Sequence, residues 1–394
     1  MHQTLSTWNR FSLFLKEFSS YYKFFKRTDR QWKDIVFYSR QAQYIAFFEG
    51  LMDALIHDHE AKLCYITSDP LDPILQEKSP NIIPFYFNIL FPFVLPFLDA
   101  KVVVMTMPDL NQFHIKRSIY DTNHVYVFHS MLSTHMIYRL GAFDHYDTIL
   151  CVGPYHLEEI RRTEEEYGLK PKRLLEVGYY RVEKIYNDHQ SFLNDPTLEA
   201  EQRNCILIAP GWHVSNIIEV CASELIATLL DAGYDVVLRP HPMTIAKKPE
   251  QLVALENEFG SHENFQIDTE SASEKYLHQA DVLISDWSGV TLEYAFGTER
   301  PILFIDLPRK VHNHEYEKLE IEPIEVSLRD QIGQVINIED VPNTALIVSD
   351  FLTNREKYKD KIVNARRRNI YNFGKSSQIG ANYIMDIYHG RLKG

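Results

Sequence analysis

Short, near-continuous apolar runs alternating with helical stretches constrain this chain more than any other feature. DIVFYS (34–39), KLCYITS (62–68), KVVVMTM (101–107), HVYVFHS (124–130), TILCVG (148–153) and RLLEVG (173–178) read as strands buried on both faces, because apolar residues follow one another instead of alternating with polar ones. Helical patterns lie between them, as at Gln41 to His57 and Tyr155 to Tyr167. The rhythm restarts beyond a polar stretch from His189 to Asn204, with strands at CILIAP (205–210), DVVLRP (235–240), NFQI (264–267), DVLISD (281–286) and PILFID (301–306). Helices are expected there at Ser215 to Ala232, Ser288 to Phe296 and Pro342 to Leu352. Strands alternating with helices imply a parallel sheet covered on both faces. Two such series predict an α/β chain of two doubly wound domains, 1–188 and 189–374, since single cores stop growing near ~250–300 residues.

Composition narrows the function classes. The chain is 45% hydrophobic and 24% charged, which excludes disorder and a disulfide scaffold. Its net charge of −13 argues against a nucleic-acid partner but leaves room for a local basic pocket. Cys64, Cys151, Cys205 and Cys221 lie in or beside apolar runs without a C-x-x-C pair, as buried free thiols do in a reducing compartment. No secretory signal opens the chain, so a cytoplasmic protein is expected. The apolar run Ile82 to Leu98 carries Pro84, Pro92 and Pro96, which favours a buried strand and helix over a membrane span. Residues 8–27 mix aromatics with Arg10, Lys16, Lys23, Lys26 and Arg27. They are read as a helix either packed on the domain or lying on the cytoplasmic face of an anionic membrane.

In open α/β sheets a ligand sits beyond the carboxyl ends of the strands, and the residues expected there form a consistent set. His129 and Ser130 end one strand; Gly178-Tyr179-Tyr180-Arg181, Pro210-Gly211-Trp212-His213, Pro240-His241-Pro242 and Ser285-Asp286-Trp287-Ser288-Gly289 end others. Ser288 is placed to cap a helix whose N-terminus faces an anion, with Glu293 one turn further on as a partner for ribose hydroxyls. Arg239 and His241, held by prolines, are donors suited to phosphate. His129 has the intrinsic pKa of a general base, with His135 and His145 as local competitors. No H-E-x-x-H, clustered Cys/His set, G-x-G-x-x-G or P-loop is present, so neither a metal nor a dinucleotide cofactor is expected.

Taken in order, FHS (128–130), VGYYR (177–181), APGWH (209–213), RPHP (239–242) and ADVLISDWSGVTLEYAFGTERPILFID (280–306) resemble the CDP-glycerol:glycerophosphotransferase family of teichoic-acid and capsule polymerases. The resemblance implies the GT-B fold, two facing Rossmann-like domains, with a C-terminal helix (Gln378 to Tyr388, within 375–394) crossing back to the first. It implies a CDP-polyol donor, most simply CDP-glycerol, on the second domain, and a glycan or polyol-phosphate acceptor on the first. His129 then matches the base and His241 the phosphate-contacting histidine. Arg239, Ser285, Asp286, Ser288 and Gly289 match the donor-phosphate region; Arg181, His213, Glu293, Lys375 and Ser376 complete the expected substrate contacts. Where the family has Gly, Pro and Lys after the base, this chain has Ser130-Met131-Leu132. The same fold also serves glycosyl transfer from nucleotide sugars and UDP-sugar 2-epimerisation, and a catalytically silent nucleotide-binding subunit of a polysaccharide assembly complex is the reading from a different class.

Overall fold

A computed structural model describes residues 7–195, 204–270 and 274–392; much of the polar stretch between the two series therefore lies outside the described residues. The first lobe holds β1 (Ile35–Ser39), β2 (Leu63–Thr67), β3 (Ile82–Tyr86), β4 (Val102–Met105), β5 (Asn123–Val127), β6 (Thr148–Cys151) and β7 (Arg173–Glu176). Their order is β3-β2-β1-β4-β5-β6-β7, and every pairing is parallel. The second lobe holds β8 (Cys205–Ile208), β9 (Asp235–Leu238), β10 (Phe265–Ile267), β11 (Val282–Ser285), β12 (Ile302–Ile305) and β13 (Gly333–Ile336), ordered β10-β9-β8-β11-β12-β13 and again parallel. Each sheet reverses its winding once, between β1 and β4 and between β8 and β11, and such a reversal opens a crevice at the carboxyl edge.

The apolar runs become strands because both faces of each sheet are covered: β1, β2, β4, β6, β8, β11 and β12 are buried along their whole length. The run 82–98 divides into β3 and two short helical turns, 91–94 and 95–97, breaking at its prolines. β13 was not foreseen, since GQVI is short and half polar. Seven helices matter below: α1 (Thr7–Tyr22), α2 (Glu49–His59), α3 (Pro154–Glu166), α4 (Tyr180–Leu193), α5 (Val290–Thr298), α6 (Arg355–Asn369) and α7 (Ser376–Tyr388). The helix expected from Gln41 starts instead as a 3₁₀ segment, Ala42–Phe47, before α2.

The lobes share one interior. α4 packs along α5, and a single buried cluster runs from Val103 and Ile149 in the first sheet to Leu207, Leu283 and Phe296 in the second. The chain then returns: α6 leaves the second lobe and α7 packs on α2 of the first. At the crossing, Tyr371 N–H donates to the Val152 carbonyl (2.9 Å) and the Asn372 amide to the Glu176 carbonyl (2.8 Å). The Asn369 carbonyl occupies the space that a Cβ on Gly153 would need, so only glycine allows the returning segment this close. Gly153→Ala therefore destabilises the chain by about 1–3 kcal/mol through overpacking. A urea-unfolding midpoint equal to that of the wild type would contradict this docking.

α1 rests on the β3 edge. The Glu17 carboxylate, buried beneath it, accepts from the backbone N–H of Ile89 (3.2 Å) and Leu90 (2.8 Å). Its outer face exposes Phe11, Phe14, Leu15 and Phe18. No helix among the described residues is long and apolar enough to cross a membrane.

Candidate functional site

The carboxyl edges of the two sheets face one crevice. His129 follows β5 in the first lobe; from the second come Gly211–His213 after β8, Arg239–His241 after β9, Asp286–Gly289 after β11 and Lys310 after β12. The lobes touch here: Ser130 Oγ lies 3.0 Å from where a Cβ on Gly289 would stand.

Asp286 is the centre of the second-lobe side, and it is buried rather than offered to solvent. Its carboxylate accepts from Gly211 N–H (2.6 Å), Trp287 N–H (2.6 Å) and Ile217 N–H (3.0 Å), joining the β8 and β11 loops across the reversal point. Ser285 is fully buried and donates to the Ala209 carbonyl (2.6 Å). Both residues shape the turn after β11 from behind, with their oxygens spent on backbone groups, which differs from their expected place as phosphate contacts. Ser288 does not cap the helix either: the cap of α5 is Gly289, already in right-handed helical geometry, while the Ser288 carbonyl accepts from Thr291 Oγ (2.8 Å).

The expected arginines are also committed. Arg239 Nε and Nη2 both lie 2.7 Å from Asp268 Oδ2. Arg181 donates to Glu293 (3.1 Å) and Glu274 (2.7 Å), and Tyr179 Oη donates to the other Glu293 oxygen (2.9 Å). This ion-pair knot joins the two lobes, so Glu293 is taken by protein partners and is not a free acceptor for a ribose. The flanking carboxylates hold the Arg181 guanidinium charge even though burial works against it. A buried, fully paired charge is a structural tie, and breaking it leaves its partner uncompensated.

The three cleft histidines are different. His129 sits among Tyr44, Phe47 and Tyr138 with its Nδ1 unpartnered. Burial, helped by the charge of Lys310, lowers its pKa to about 4. His241 Nδ1 accepts from Met243 N–H (3.1 Å), which leaves Nε2 to carry the proton; burial and Lys310 lower it to about 4 as well. Both ring nitrogens of His213 are buried without a partner, and its pKa is lowered by burial. All three are thus neutral at neutral pH. Lys310 makes no hydrogen bond or ion pair among the described residues, and burial pulls its own pKa down against Asp286 and Glu325. Sequence reasoning missed it, because nothing in DLPRKVHNHEYEK repeats or spaces like a motif.

The loop bearing Lys310 continues as a strap across the first lobe. His312 and Asn313 N–H donate to the Met136 carbonyl (3.0 and 3.1 Å), and the Asn313 amide to the His135 carbonyl (2.9 Å). Further on, Glu325 accepts from Ser133 N–H and Oγ (2.8 Å each). These contacts pin the segment that follows His129. Of the remaining expected residues, Lys375 stands exposed at the start of α7, while Ser376 is buried and its N–H donates to Glu183 (3.1 Å). His135 and His145 are not cleft residues: His135 bridges Glu159 (3.3 Å) and the Ile321 carbonyl (3.0 Å), and the His145 carbonyl accepts from Arg117. Among the described residues, metal-ligand geometry occurs at Asp188, Glu274 and His278, whose carboxylates are paired with Lys184 and Arg181.

Replacing Asp286 by Ala orphans three buried N–H groups. It should cost about 2–4 kcal/mol of stability. Thermal unfolding measures this; a wild-type midpoint with lost turnover would restore Asp286 as a substrate contact.

Residues 21–378 match the sequence profile of the family CDP-Glycerol:Poly(glycerophosphate) glycerophosphotransferase. Among curated proteins, none matches by sequence. Among solved structures, the chain is similar to the wall teichoic acid polymerase TagF, with 17% identity, a TM-score of 0.60, and 98% of this chain and 99% of that one covered. A TagF variant soaked with CDPG gives 15% identity and a TM-score of 0.60 over 98% and 100% of the two chains. UDP-GlcNAc 2-epimerase from Neisseria meningitidis, bound to UDP-GlcNAc, gives 13% identity and a TM-score of 0.56 over 89% and 100%. The polymerase and the epimerase share the two-lobed fold with this chain.

Proposed function

The chain belongs to the CDP-glycerol:poly(glycerophosphate) glycerophosphotransferase family, and from that membership we propose how its cleft carries out the transfer. The enzyme moves glycerol phosphate from CDP-glycerol to a hydroxyl, releasing CMP. The acceptor is a polyol-phosphate or glycan chain of the cell surface that enters beside His129. His129 takes the proton of the acceptor hydroxyl; the oxygen attacks the β-phosphorus, which bears the glycerol; the bond to the bridging oxygen breaks, and CMP carries that oxygen away. His241 donates from Nε2 to a diphosphate oxygen, and the missing Cβ of Gly289 lets Ser130 of the first lobe come close beside the start of α5. The observation that supports this most is the pairing of a neutral histidine with an unpartnered Nδ1 from one lobe with a proton-bearing histidine from the other at a single crevice.

His129→Ala should lower kcat by about 10²–10⁴, the usual worth of a general base, and His241→Ala should also cut turnover, both with wild-type unfolding curves. CMP release from CDP-glycerol with acceptor is the assay, and wild-type turnover in either variant dismisses that residue's role. The pH profile has a defined sign. Only unprotonated His129 accepts a proton, and its pKa in the free enzyme is about 4. So kcat/KM falls only well below pH 6, whereas a bound diphosphate stabilises the imidazolium and puts the acid limb of kcat at higher pH. Coincident limbs would argue against His129 as the base.

The exposed aromatic face of α1, next to Lys23, Lys26 and Arg27, supports peripheral contact with an anionic membrane. Ile89, Phe93 and Phe97 add exposed apolar side chains from the segment that α1 caps. Phe14→Asp with Phe18→Asp should abolish co-sedimentation with anionic vesicles and spare activity on a soluble acceptor; undiminished sedimentation would exclude this face.

A further inference from the structure

A diphosphate held in a cleft needs a cation, because hydrogen bonds from neutral groups do not offset its charge out of water. The basic side chains around this cleft are mostly spent. Arg239 is bound to Asp268, Arg181 to Glu293 and Glu274, and Arg329 to Asp306 (2.6 Å) while stacked on Trp287. Arg309 is exposed, beside the same Trp287 ring. The three histidines are neutral. Among the basic groups around this cleft that are not exposed, Lys310 is the one without an ion pair among the described residues; it makes no hydrogen bond there either, and its charge reaches His129 of one lobe and His213 and His241 of the other.

We propose that Lys310 is the binding cation for the diphosphate of the donor, carried into the cleft by a strap anchored on the opposite lobe. The proposal rests on the functional reading above and deepens it, since it names a phosphate contact that neither the motifs nor the arginines supply. The anchoring is specific. Two residues beyond Lys310, His312 donates from N–H to Met136 and from Nδ1 to the Ile137 carbonyl (2.8 Å), and Asn313 holds Met136 and His135. The strap therefore places the ammonium relative to the first lobe, while β12 places it relative to the turn after β11. The charged and titratable groups around it are His129, His213, His241, His312, Asp286 and Glu325. Asp286 spends its oxygens on three backbone N–H groups and Glu325 on Ser133, so neither forms a bonded pair with Lys310.

The test is calorimetric binding of CDP and of cytidine to the full-length wild type, Lys310→Met and Lys310→Arg. The wild type should bind CDP at least ~10-fold more tightly than cytidine. Lys310→Met should lose most of that preference with cytidine binding unchanged, and Lys310→Arg should keep most of it. An undiminished preference in Lys310→Met overturns the proposal, and so does a wild type that prefers no nucleoside diphosphate over its nucleoside. If the wild type shows the preference only for UDP over uridine, the CDP reading fails; the same loss in Lys310→Met with that pair then supports the role of Lys310, and its absence overturns it. A second readout separates charge from folding. Removing the ammonium relieves His129, so the acid limb of kcat/KM in Lys310→Met moves to higher pH, whereas an unmoved limb counts against the proposal.

Discussion

One buried carboxylate organises the second lobe. Asp286 lies at the reversal point of the sheet, where neighbouring strands send their loops in opposite directions and leave backbone N–H groups without ladder partners. By accepting from Gly211, Trp287 and Ile217 it satisfies three of them and fixes the separation of the β8 and β11 loops. The position of His213 relative to Gly289 follows from that. The residue that looks most like a ligand in the motif is the one that builds the frame.

The lobes are tied by two chemically different devices. Near α4 and α5 the tie is ionic, with Arg181 between Glu274 and Glu293. Under the strap it is protonic. Burial pushes the Glu325 carboxyl up to about 7. His135 is also raised: Glu159 outweighs the burial that opposes its charge. A raised folded-state value means that the folded arrangement binds protons more tightly, so Glu325 adds stability below its unfolded value and loses that contribution as pH rises through about 7. The cleft histidines run the other way. Their lowered values favour the folded arrangement above the ordinary histidine value and weaken it as pH falls toward about 4.

Most of the architecture was legible because a strand buried on both faces has to be written in consecutive apolar residues, and β1, β2, β4, β8, β11 and β12 are. β13 escaped because its apolar run is broken, with Gln334 exposed and Val335 only half-buried at the sheet edge. The site was legible as a set of positions but not as a set of roles. His129 and His241 stand at the carboxyl edges of β5 and β9, facing the crevice. Arg239 reads as a free donor only while Asp268, 29 residues away in sequence, is ignored. Ser285 and Asp286 read as ligands because motif position reports proximity to the cleft and says nothing of which way a side chain turns. Lys310 was invisible for the opposite reason: its importance comes from what its neighbours have already paired with, which no local pattern records.

The strap and the returning α7 fasten the two lobes on separate paths, so any parting of the lobes has to break both sets of contacts. On the proposed reading, a parting of the lobes during nucleotide exchange would break the buried hydrogen bonds at Ser133 and Met136.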